Sequence, residues 1–199
     1  MKKWVLKTQA VFLVCIMMAS CTQAPVSSKM PELTFDHLQP ISLPVNRVEI
    51  VDQFQPGMTA PQVEHLFPVP PYRAVHSLLK HRLKAEGVTD NILRVVIEDA
   101  SVIEEKLPRT EGIMGAFIKE PDIRYKGRIV IRFELASAAA PDIIRAHADV
   151  TADRTKTVFE NVSLSHRQRA WFEMTEAMLQ DIDRGLDEIV KPTFGRAQH

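Results

Sequence analysis

Two periods divide the chain into elements: strict alternation of apolar and polar residues, and apolar residues recurring every three or four positions. Val48 and Ile50 alternate with Arg47 and Glu49, which predicts a strand around Val45–Val51. Residues 52–71 show neither period and are broken by Pro56, Gly57, Pro61, Pro68, Pro70 and Pro71. Pro71 suits the first turn of a helix, where its missing N–H costs nothing. Val75, Leu78, Leu79 and Leu83 then give an apolar stripe over Tyr72–Glu86, with Gly87 as its stop. A strand follows in Leu93–Glu98 and continues more weakly through Ala100–Leu107. Over Arg124–Leu135 the alternation is clearest: Tyr125, Ile129, Ile131, Phe133 and Leu135 share one face, Arg124, Lys126, Arg128, Arg132 and Glu134 the other. Arg145–Asp153 repeats it, with Ala146, Ala148, Val150 and Ala152 inward, and Thr155–Phe159 resumes it after a turn. The last element is a helix over about His166–Val190. Ser165 and Gln168 form its capping box, and Trp171, Met174, Met178, Ile182, Leu186 and Ile189 line its buried face before Pro192 stops it.

The order strand, helix, strands, long helix predicts an α+β fold, a two-layer sandwich. A mostly antiparallel sheet of about four strands would carry two helices packed on one face. One domain over residues 41–192 accommodates this, with 193–199 as a disordered tail.

The N-terminus has a different pattern. Lys2, Lys3 and Lys7 precede the apolar run Ala10–Ala19, a charged region and an apolar core of the kind found in secretion leaders. The run is too short to span a bilayer, which takes roughly 20 residues. It ends in Met18-Ala19-Ser20-Cys21, which resembles the lipobox of bacterial lipoproteins. The resemblance implies that residues 1–20 are removed as a signal peptide and that Cys21 carries a diacylglycerol and an acyl chain such as palmitate. Thr22, where an Asp would favour retention at the inner membrane, implies export to the outer membrane, facing the periplasm. Residues 21–40, polar and interrupted by Pro25, Pro31 and Pro40, read as the lipidated cysteine and a flexible tether.

Composition narrows the function. Of 25 basic and 25 acidic residues, the leader would remove Lys2, Lys3 and Lys7, leaving 22 basic residues against 25 acidic ones. That balance does not suit a nucleic-acid partner. Cys15 lies in the leader and Cys21 at the anchor, so neither a disulfide framework nor a Cys-ligated metal site is expected. His76 and His81 are five residues apart on the predicted helix and diverge around its axis, Glu64-His65 is an isolated pair, and His147, Asp149 and Asp153 read equally as a solvated strand face. With no nucleophile, phosphate-loop or zinc motif, we expect no enzyme and no cofactor or metal.

Two features stand above this background. Arg124, Lys126, Arg128 and Arg132 form a basic stripe that would suit phosphorylated lipid headgroups. The connection around Ile113, Met114, Phe117 and Ile118 is unusually apolar for a loop and would suit a partner or a lipid. The element order together with the lipobox resembles envelope lipoprotein domains over about residues 41–192. These are the LptE-like fold of the lipoprotein that plugs the LPS-insertion barrel, and the auxiliary lipoprotein of ABC-type lipid transport. The resemblance implies a non-enzymatic lipoprotein of the cell envelope that assists outer-membrane assembly or LPS and lipid transport, with a barrel or transport complex as partner. An auxiliary subunit of an ABC-type lipid transporter is the first alternative, and a lipid-anchored hydrolase the second.

Overall fold

The structure is a computed structural model and describes residues 33–108 and 121–195. Among the described residues, six strands and three α-helices follow in the order β1 (Ile41–Leu43), β2 (Arg47–Asp52), α1 (Pro71–Arg82), β3 (Leu83–Ala85), β4 (Asn91–Lys106), β5 (Ile123–Ser137), β6 (Ala140–Val158), α2 (Leu164–Gly185) and α3 (Lys191–Phe194). The main sheet has the order β2-β4-β5-β6. The β4–β5 and β5–β6 pairs are antiparallel, while β2 joins β4 in parallel. β1 and β3 form a second, two-stranded parallel sheet. The architecture is α+β, with helices packed on a mostly antiparallel four-stranded sheet.

The alternation places the core as expected. Leu93, Val95 and Ile97 of β4 and Ile129, Ile131, Phe133 and Leu135 of β5 are buried against Val75, Leu78 and Leu79 of α1 and Trp171, Met174, Met178 and Ile182 of α2. Each such side chain contributes about 1.5–3 kcal/mol by leaving water. A β-bulge at Glu98 shifts the β4–β5 register between Ile97 and Asp99, so β4 continues to Lys106 as one strand. Arg82, nearly buried, ties α1 to the end of α2 by pairing with Asp183 at 2.5 Å and with Asp187 at 2.8 Å.

Several sequence boundaries are corrected. The first helix ends at Arg82 and not at Glu86. Leu83–Ala85 leaves the helix to pair with Ile41–Leu43, because Ile41 and Leu43 are buried apolar residues and gain a ladder there. The pattern around 41–43 was too short to read as a strand. Gly87, with φ +71°, turns the chain after β3, beyond the helix's own end at Arg82. Ahead of residue 41, Leu33, Phe35 and Leu38 pack against the core, and the Leu38 carbonyl meets His81 Nε2 at 3.1 Å. β6 is one strand through Thr155 with no turn.

The long helix differs most. Its cap is Ser163, whose Oγ accepts from the His166 N–H, and not Ser165, which is itself inside the helix. After Gly185 the helix widens into a π-turn, Leu186–Val190, and resumes as α3 across Pro192 instead of stopping there. The extra residue in that turn changes the phase of the apolar stripe. Ile189, expected inside, is 40% exposed, while Val190 and Phe194 take the buried places.

Candidate functional site

The open face of the sheet carries the basic stripe. Arg124, Lys126, Arg128 and Arg132 occupy alternate positions of β5 and therefore share the face turned away from the helices. Antiparallel pairing also places acids beside them. Arg128 stands opposite Asp153 and Arg132 opposite Asp149 on β6, while Arg124 stands opposite Glu105 on β4. The ion pairs that result are Lys126–Glu105 at 2.7 Å, Arg128–Asp153 at 3.5 Å, Arg132–Glu98 at 2.9 Å and Arg132–Asp149 at 3.1 Å. Arg94 of β4 likewise meets Glu134 at 3.6 Å. The hydrogen bond to Asp149, then the charge of Glu98, holds the Arg132 guanidinium above its ordinary value. Arg124 is the one stripe residue without an ion pair among the described residues. The result is a banded, nearly neutral surface in which the bulge at Glu98 supplies one of the acids. A reading of β5 alone sees four cations and one acid, Glu134, because the acids that pair with the cations are contributed by β4 and β6.

Cys21 and the apolar connection with Ile113, Met114, Phe117 and Ile118 lie outside the described residues. Near the start of β5 lies a buried aromatic cluster. There Tyr125 is fully buried with its ring edge-on to Trp171, and Trp171 stacks on Phe67 at 4.9 Å between centroids. Burial, and after it the charge of neighbouring Glu104, pushes the Tyr125 hydroxyl up to about 12, so it is a neutral phenol at any physiological pH.

The residues weighed as metal ligands have other placements. Glu64 is completely buried and accepts hydrogen bonds from the Gly57 N–H at 2.7 Å and the Val102 N–H at 3.2 Å. It clamps the Pro-rich segment to β4, alongside the Val63 N–H to Val102 carbonyl bond. The signal in the sequence was Val63 and Phe67, apolar residues four apart that are both buried and flank Glu64 along the chain. His147, Asp149 and Asp153 sit on the open face, where two of the three neutralise arginines. Among the described residues no group of three His, Cys, Asp or Glu could hold a metal ion, and no helix is long and apolar enough to cross a membrane.

No protein-family model matches the chain, and neither does any curated protein. Among solved structures, it is similar to the rare lipoprotein B of Shewanella oneidensis, with 14% identity over 74% of this chain and 96% of that one, at a TM-score of 0.39. It is also similar to a minor lipoprotein of Acinetobacter baumannii, with 10% identity over 77% of this chain and 97% of that one, at a TM-score of 0.37. Scores at this level describe a likeness of outline.

Proposed function

We propose that the chain is a lipid-anchored envelope protein, held at Cys21 to the periplasmic side of the outer membrane, which works by protein contact and not by catalysis. The observation that carries this reading is the run from Lys2 to Cys21, where a charged segment, a short apolar core and Met18-Ala19-Ser20 lead directly into a cysteine. Its task, on this reading, is to assist outer-membrane assembly or the transport of LPS or other lipid. On this reading the α+β domain follows a tether, and its open face carries paired charges among the described residues.

Two experiments test it. Wild-type protein is expected in the membrane fraction and labelled by a radioactive fatty acid, and Cys21→Ser is expected to be unlabelled and released from the membrane. A Cys21→Ser variant that remained acylated would end the anchoring reading. Crosslinking in cells, followed by purification in mild detergent, is expected to recover an outer-membrane barrel or a lipid-transport component. Recovery of neither would remove the assembly and transport role while leaving the anchor intact.

A further inference from the structure

β6 is a 19-residue strand that pairs with β5 on one side, and among the described residues no strand pairs with its other side. A long free edge presents a row of backbone N–H and C=O groups, which is a template for another strand. The two halves of this edge differ. In the half nearer α2's start, Arg154 and Lys156 point to the helix side and are tied there to Asp181 and to Glu173, the latter at 3.0 Å. Inward charges of this kind block strand addition. Between Ile143 and Val150 the inward positions are Ala146 and Ala148, both small, uncharged and half-buried. Ile143 is 65% exposed and Ile144 40%. A groove of about 370 Å³ runs on from Val150 between the strand and the π-turn, and the exposed Ile189 stands on its far wall.

We propose that the Ala146–Val150 stretch of the β6 edge is a self-association surface, and that it pairs antiparallel with the same stretch of a second copy about a two-fold axis through Ala148, which sets Ile143 and Ile144 opposite Asp153 and Ala152 of that copy. The sequence of the edge complements itself in that register. Ala148 meets Ala148 at the axis, Ala146 faces Val150, and on the open face His147 of each copy faces Asp149 of the other. Centring the axis one residue either way would set His147 on His147 or Asp149 on Asp149, and like groups directly opposite are unfavourable. The two four-stranded sheets become one of eight, and both unguarded edges are covered. The pairing is independent of how the chain is anchored.

The test uses the full chain in mild detergent and in intact membranes. Directly opposed Cα atoms across an antiparallel pair are about 4.5–5.5 Å apart, within disulfide reach. Ala148→Cys is therefore expected to give an oxidised dimer beyond the background from Cys15 and Cys21. Thr157→Cys, whose two copies would be about 60 Å apart, is expected to give none. His147→Asp sets two pairs of like charges across the axis and is expected to weaken the dimer more than about tenfold in sedimentation velocity. His147→Asp with Asp149→His is expected to restore it. His147 and Asp149 are exposed, so an unchanged thermal melt reports that the variants fold. A protein that is monomeric throughout, equal crosslinking at 148 and 157, a 148 adduct with a different protein in place of the dimer, or a dimer indifferent to His147→Asp would each overturn the proposal.

Discussion

At the scale of single residues, the buried polar groups do the most specific structural work. Glu64 is a carboxylate with no exposure, and its cost of burial is offset by two backbone N–H donors that have no strand partner of their own. Glu64→Leu keeps the volume and orphans both donors. It is expected to lower the unfolding free energy by about 2–5 kcal/mol, measured by urea denaturation, and Glu64→Gln is expected to cost less because one oxygen acceptor survives. Tyr125 gives a pH-dependent counterpart. Its hydroxyl ionises at an ordinary value of 10.0 when unfolded and near 12 when folded, so the folded state holds the proton longer. The contribution is fully present below pH 10 and is lost as pH rises through 12. Unfolding measured across that interval is expected to show falling stability in the wild type and a shallower fall in Tyr125→Phe.

At the scale of elements, the contact between α2 and the sheet is set by two glycines with different tolerance. A Cβ on Gly185 would run into Val150 Cγ1, and Val150 is branched, buried and fixed in β6. A Cβ on Gly127 would meet the side-chain ends of Met174 at 2.6 Å and Met178 at 2.8 Å, and unbranched methionines move aside readily. Gly185→Ala is therefore expected to cost about 1–3 kcal/mol, and Gly127→Ala distinctly less, in paired thermal melts. Gly185 also immediately precedes the π-turn, so crowding there would push on the segment that brings Val190 and Phe194 into the core. The apolar stripe of α2 was readable through Leu186 because the α-helical period held that far. Beyond it Ile189 was misassigned, since a change from α to π geometry leaves no trace in composition.

At the scale of the whole molecule, the banded face bears on how the domain meets a membrane. Lys126, Arg128 and Arg132 already have carboxylate partners, so the face offers little net positive potential to anionic lipid. Arg128→Glu with Arg132→Glu is expected to leave co-sedimentation with phosphatidylglycerol vesicles unchanged relative to wild type. A loss of binding would assign the stripe to headgroup recognition after all. The sequence by itself determined the α+β class, the inward faces of β4, β5 and β6, and the main stripe of the long helix. Each of these follows from a local period, two for strands and 3.6 for helices, that burial against any apolar layer enforces. The resemblance of Met18-Ala19-Ser20-Cys21 to a lipobox also rests on a run of adjacent residues. What only the tertiary structure decided was everything contributed from a distance. The acids that neutralise the basic stripe come from β4 and β6, and the partner that draws Leu83–Ala85 out of a helix is Ile41–Leu43, some forty residues earlier. The two amides that make Glu64 a clamp lie on separate segments, and among the described residues β6 is an edge strand only because of the order in which four strands came together. A local period fixes which way a side chain faces, and only the assembled sheet fixes what it faces.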